Sequence, residues 1–126
     1  MESNFIIKKC NSCGAIVKVL KDCKCDGCGI KCCSEEMKTL IPNSVDAAVE
    51  KHLPVYEIAG NNINVKVPHV MEEEHFIEWI TLVSDNKEYT VHLNPGNEAI
   101  AVFPYIPNST LYAYCNKHGL WKSDVK

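Results

Sequence analysis

No stretch of this chain stays apolar for the roughly 20 residues that a membrane-spanning helix requires, which excludes a helical membrane protein. Positive charge is not in excess either. Thirteen Lys and Arg against 16 Asp and Glu leave a net −3, so the basic footprint of a nucleic-acid binder is missing. The opening residues, Met1-Glu2-Ser3-Asn4-Phe5-Ile6-Ile7-Lys8-Lys9, lack the long apolar segment of a signal peptide, and a cytoplasmic protein is expected. There is no internal repeat and no low-complexity tract. Cysteine is almost absent beyond the first third of the chain: of eight, seven fall between Cys10 and Cys33 and one stands alone at Cys115. A disulfide framework would staple the whole chain, so this crowding disfavours a secreted, disulfide-bonded adhesion domain. It favours metal binding in a reducing compartment.

What is present divides into two parts. Residues 1–38 are a small cysteine-rich module with too little apolar content to hold a core without a metal or a partner. Phe5, Ile7, Ile16, Val17, Val19 and Leu20 supply two or three short strands there. Residues 39–43 read as a linker, and residues 39–126 as the second domain. Ser44 caps a short helical turn through Glu50, stopped by Pro54. The remainder is β. Ile63, Val65 and Val67 alternate with polar residues, Phe76 to Val83 is strongly apolar, and Tyr89, Val91 and Leu93 alternate again. Ala99 to Phe103 and Thr110 to Tyr114 add further strands. About seven short strands separated by turns indicate an antiparallel β-sandwich.

The chemistry-bearing residues lie in separated segments of this second part. His52 stands in Glu50-Lys51-His52-Leu53-Pro54, His69 and His75 flank Glu72-Glu73-Glu74, and Cys115 and His118 share Cys115-Asn116-Lys117-His118. The C-x-x-H spacing lets Cys115 and His118 reach one ion, and the histidines can enter from other sides. Four imidazoles and one thiolate make a five-ligand site with a soft axial donor and an open position opposite it. That set suits a redox-active iron better than zinc, which prefers four tetrahedral ligands. Backbone N–H groups around Lys117 and His118 are placed to temper the thiolate. His92 lies in an alternating strand, belongs to no motif and reads as structural. Glu72, Glu73 and Glu74 read as a solvated loop, and Trp79, Tyr114 and Trp121 as core or site-lining residues.

The segments Glu50-Lys51-His52-x-Pro54, Pro68-His69-x-Met71-x-x-x-His75-x-x-x-Trp79 and Tyr114-Cys115-Asn116-x-His118-Gly119-x-Trp121 resemble the superoxide reductase family. Cys10-x-x-Cys13 with Cys32-Cys33-x-x-x-Met37 resembles its two-iron subclass, the desulfoferrodoxins. The resemblance implies a desulforedoxin-like metal module followed by an immunoglobulin-like sandwich, a homodimer, and one-electron reduction of superoxide to hydrogen peroxide. It implies iron at His52, His69, His75, Cys115 and His118, re-reduced by a rubredoxin-like donor. It also implies Glu50 as sixth ligand of the oxidised form and Lys51 as the residue that attracts superoxide and assists protonation.

By the same resemblance Cys10, Cys13, Cys32 and Cys33 hold a second iron or a zinc. The chain departs from the pattern in carrying Cys23, Cys25 and Cys28 between the pairs. Cys25-Asp26-Gly27-Cys28-Gly29 is a second knuckle-like motif, so Cys10, Cys13, Cys25 and Cys28 form a rival set. Other readings are a non-enzymatic metal-binding or electron-transfer protein, and a true dismutase. The dismutase must also oxidise superoxide, which an anionic thiolate makes harder by stabilising ferric iron.

Overall fold

The structure, a computed structural model, describes residues 5–25, 27 and 29–126. The chain divides into two compact units, Met1–Ile41 and Pro42–Lys126. The division falls inside the stretch 39–43.

The first unit contains β1 (Ile6–Lys9), β2 (Ile16–Val19), β3 (Lys31–Cys32), β4 (Glu35–Glu36) and β5 (Lys38–Thr39). β1 is the middle strand of a three-stranded sheet, with β2 and β5 on its flanks, and β3 pairs with β4 as a hairpin. Leu20 lies past the end of β2 and is 86% exposed. Among the described residues of this unit, the buried apolar side chains are Ile7, Cys10, Val19 and Met37. Lys8 is buried beside them, its ammonium 3.2 Å from Asp22. A core of this size is small for a fold to stand on burial alone.

The second unit contains α1 (Val49–His52), β6 (Val55–Ala59), β7 (Asn62–Lys66), β8 (Ile77–Val83), β9 (Glu88–His92), β10 (Ile100–Pro104), β11 (Thr110–Cys115) and β12 (Gly119–Asp124). The strands form two antiparallel sheets, β10-β7-β6 and β12-β11-β8-β9. Alternation decides which side chains meet between them. Ile63 and Val65 of β7 with Ala101 and Phe103 of β10 share one core with Ile77, Ile80 and Leu82 of β8 and Leu111, Ala113 and Cys115 of β11. This is the β-sandwich expected from the sequence. Cys115 is therefore both a core residue and the point at which the core reaches the site.

Three local features depart from the sequence reading. The helical turn starts at Val49, with Ala48 as its N-cap residue and no side-chain cap bond, so Ser44 is not the cap. Alternation identifies neither β6, which is largely exposed, nor β12, which buries the neighbouring Leu120 and Trp121. The segment before α1 is fastened to β12 by Asn43. Its backbone N–H donates to the Leu120 carbonyl. Its side-chain amide donates to the Lys122 carbonyl at 3.2 Å and accepts the Lys122 N–H at 2.9 Å. Beyond α1, the Ser123 hydroxyl donates to the Pro54 carbonyl at 2.6 Å. The segment that carries Glu50, Lys51 and His52 is thus tied to one strand at both ends.

Candidate metal centres

Each donor of the larger cluster is aimed by its own backbone. His52 ends α1, and its Nδ1 donates to the Ala48 carbonyl at 2.7 Å, leaving Nε2 to point inward. His69 spends its Nδ1 on the Val70 carbonyl, so its Nε2 is also free to point inward, 3.5 Å from Cys115 Sγ. His75 sits in a tight bridge in which its N–H and C=O both pair with Glu72. A register shift between Tyr114 and Cys115 in the β8–β11 ladder turns Cys115 into place. His118 follows in the loop between Cys115 and Gly119, which pair across the β11–β12 hairpin. Gly119 has φ +80° and an added Cβ would stand 3.5 Å from Val45, so the backbone conformation, more than the space, calls for glycine here.

The four imidazoles close a ring. Centroid separations are 4.7 Å from His52 to His69, 4.6 Å to His75 and 5.1 Å to His118, and the circuit returns to His52 at 4.9 Å. His118 uses Nδ1, which lies 3.1 Å from His52 Nε2 and 3.9 Å from Cys115 Sγ. All five donor atoms, from His52, His69, His75, Cys115 and His118, lie within 4.8 Å of one another. Two nitrogens each about 2.1 Å from one ion and at right angles stand about 3.0 Å apart, close to the His52–His118 spacing. Nε2 of His75 is buried with no hydrogen-bond partner. A buried ring nitrogen is rarely left so unless something outside the protein satisfies it, and a metal ion does.

The electrostatics agree. Burial holds the His69 imidazole below its ordinary range, opposed by the Val70 carbonyl, and burial followed by the charge of His118 does the same at His75. Both shifts favour the neutral imidazole, the ligand form. Burial pushes the Cys115 thiol up, while the N–H groups of Lys117 and His118 hydrogen-bond its sulfur and pull it down. A cation is what turns it into a thiolate. Glu50 and Lys51 are exposed on α1 beside His52. Two residues contribute more than the sequence revealed. Trp121 stacks on His52 and donates its indole N–H to the His118 carbonyl at 3.0 Å. Asn116 bonds the chain on either side of His75. His52 for Trp121 and the residues flanking His75 for Asn116 are far off in sequence, so no local spacing signals these contacts.

The second cluster lies in the first unit. Cys10 and Cys13 come from one turn, in which the Gly14 N–H donates to the Cys10 carbonyl at 2.9 Å. Cys32 and Cys33 come from the β3–β4 hairpin, where Cys33 and Ser34 both take positive φ, 54° and 62°. That pair of left-handed residues is the tight two-residue turn that matches strand twist. Cys13 Sγ lies 3.6 Å from Cys32 Sγ, which is 3.9 Å from Cys33 Sγ, and all four sulfurs lie within 4.8 Å. The backbone N–H of Cys13 holds the Cys10 thiol down to about 7, while Cys13 and Cys10 push Cys32 up to about 12. Such crowding is relieved by one cation shared among the sulfurs. Cys25 is engaged in a disulfide, Cys23 is exposed, and Cys28 lies outside the described residues. Among the described thiols, those that converge are Cys10, Cys13, Cys32 and Cys33.

A family model described as desulfoferrodoxin matches residues 44–124. The desulfoferrodoxin of Syntrophotalea carbinolica is 45% identical over 98% of this chain and 99% of its own length. The superoxide reductase of Pyrococcus horikoshii is 37% identical over 61% of this chain and 87% of its own. Among solved structures, the superoxide reductase from Treponema pallidum matches with a TM-score of 0.69 at 28% identity, covering 93% of this chain and 98% of that one. The five-donor set fits the iron centre of a superoxide reductase, and the four-thiol set a desulforedoxin-like site for iron or zinc.

Proposed function

We propose that this chain, which belongs to the desulfoferrodoxin family, is a superoxide reductase. Superoxide takes one electron and two protons and leaves as hydrogen peroxide. The observation that carries this reading is the convergence of His52, His69, His75 and His118 on the Cys115 thiol, with Nε2 of His75 buried and unpartnered. Relatives in sequence and in structure that bear the name superoxide reductase support it.

Iron, when bound at this donor set, supplies the electron and is returned to the ferrous form by an outside donor. The rest is the work of the chain. Cys115 gives the centre its anionic donor, and the N–H groups of Lys117 and His118 moderate the charge on its sulfur. Trp121 covers the face of His52 and keeps that side of the site dry. Lys51, exposed on the helix that carries His52, attracts the anionic substrate and assists protonation through ordered water. Its neighbour Glu50 would offer a carboxylate to a bound ferric iron. Cys10, Cys13, Cys32 and Cys33 hold the second metal, as a brace for the first unit or as an electron relay. A rubredoxin-like protein is the proposed donor, a homodimer the proposed assembly, and the cytoplasm the proposed location.

The test counts product. Fully reduced, iron-loaded protein is mixed anaerobically with limiting superoxide, and peroxide formed per superoxide consumed is measured after correction for spontaneous dismutation. A yield near one, with bleaching of the ferrous site, is expected. A yield near one half with release of dioxygen would instead mean dismutation. No reaction beyond the blank would leave a metal-binding or electron-transfer protein.

A further inference from the structure

We infer that Asn116 is a positioning residue for the metal centre, acting through His75. It lies between two ligands, Cys115 and His118, in the turn after β11, yet its side chain reaches a different segment. Its carbonyl oxygen accepts the Phe76 N–H at 3.0 Å, and its amide donates to the Glu74 carbonyl at 2.9 Å. Its own backbone N–H donates to the Phe76 carbonyl at 3.3 Å. One amide group thus grips the chain immediately before and immediately after His75.

The remaining backbone groups of that stretch are held as well. The N–H and C=O of His75 pair with the C=O and N–H of Glu72 at 3.1 and 3.0 Å. With both flanking peptides fixed by Asn116 and its own backbone fixed by Glu72, His75 has little backbone freedom left. Its ring, by contrast, ends in the buried Nε2 that no protein group satisfies. Rigid support beneath an unsatisfied donor atom is the arrangement expected of a preorganised ligand. Asn116 also couples two ligand-bearing segments. The Cys115–His118 turn cannot shift relative to the Glu72–Phe76 loop without breaking both hydrogen bonds of the Asn116 side chain.

Asparagine is suited to this task because it carries a donor and an acceptor on one planar group. Aspartate would keep the acceptor for Phe76 and lose the donor for Glu74. Alanine would lose both. The inference rests on the metal centre of the preceding reading and not on the reaction run there, so the test reads iron affinity.

Full-length ferrous protein is equilibrated anaerobically with chelators of graded strength, and occupancy of the five-donor site is measured with the four-thiol site of the same molecule as reference. Wild type, Asn116→Ala, His75→Ala and the double variant form a thermodynamic cycle. Asn116→Ala is expected to weaken iron binding by roughly 10- to 100-fold, and to add no loss when His75 is already alanine. Unchanged affinity in the first case, or an equal loss in both backgrounds, overturns the inference. If Asn116→Ala fails to fold, Asn116→Asp takes its place in the cycle, with a smaller loss expected that again vanishes without His75. A persistent loss there overturns it equally. Because turnover is not measured, a protein that binds iron and ignores superoxide would sink the proposed activity and leave this role for Asn116 standing.

Discussion

The indole of Trp121 lies on the imidazole of His52, with ring centroids 4.7 Å apart and planes 24° from parallel. The same indole donates to the carbonyl of His118 at 3.0 Å, so one side chain seats two ligands that are 66 residues apart in sequence. Trp121→Ala removes a fully buried ring and is expected to cost about 3–5 kcal/mol of stability, with loss of iron. Trp121→Phe keeps an aromatic face for His52 and gives up the N–H bond, an expected cost of about 1 kcal/mol. Urea unfolding and iron content of the purified variants check both values.

Cys115→Ser replaces the sulfur at the centre of the donor set and leaves the volume of the core nearly unchanged. The expected result is a folded protein without the thiolate-to-iron charge-transfer colour and without peroxide production. Visible absorption and the peroxide assay read the two consequences separately.

Lys51→Ala should retain iron, since the side chain is exposed and belongs to neither donor set. Its reaction with superoxide should slow at low ionic strength, and the gap from wild type should narrow as salt screens the attraction. Pulse-radiolytic rates across a salt series decide it. Equal rates at low salt would remove Lys51 from substrate steering.

The metal-free protein should be most stable between the ordinary titration points of its buried ligands. His69 and His75 have folded values below the ordinary 6.5. The stability they contribute is present above 6.5 and is lost as pH falls from there through the lowered values. Cys115 has a folded value above the ordinary 9.0, so its contribution is present below 9.0 and is lost as pH rises toward the raised value. Urea midpoints against pH should therefore decline on both sides of that interval. Both tryptophans, Trp79 and Trp121, lie in the second unit, so their fluorescence follows that unit alone. Added iron should protect at neutral pH and lose its effect on acidification, because protons compete for the imidazoles.

Cys25→Ser should leave loading of the four-thiol site intact, whereas Cys32→Ser should abolish it, because among the described residues the sulfurs that converge are those of Cys10, Cys13, Cys32 and Cys33. Metal-to-protein ratios of the two variants check this. Failure of Cys25→Ser to load the first unit would restore the rival set.

The sandwich was legible wherever one face of a strand is wet. Ile63 and Val65 are buried while Asn62, Asn64 and Lys66 are exposed, and the alternation passes straight from sequence to core. β12 was not legible because Leu120 and Trp121 are buried as neighbours. Trp121 faces His52, a demand of the site and not of the sheet. The five-donor set was legible in the placing of its histidines and of Cys115-x-x-His118, whereas the four-thiol set rested on the family resemblance and left Cys25 and Cys28 as rivals. Asn116 and Asn43 were not legible, whereas Trp121 already read as a core or site-lining residue. A side-chain amide declares a role only through its partners, and these partners stand 40 residues away for the Asn116–Phe76 bond and 79 for Asn43–Lys122. Ser44, by contrast, carried the local signature of a cap and is bypassed, the turn starting only at Val49.

β12 is the outermost strand of its sheet, and an outermost strand with bare peptide groups invites a strange chain to add itself. Asn43 answers the Leu120 carbonyl and both peptide groups of Lys122, so a single residue stoppers that border as a short strand would. The tether that holds the His52 segment in place thereby also guards against sheet-to-sheet aggregation. Any partner that joins the second unit by strand addition is directed elsewhere, to the borders formed by β9, β6 or β10.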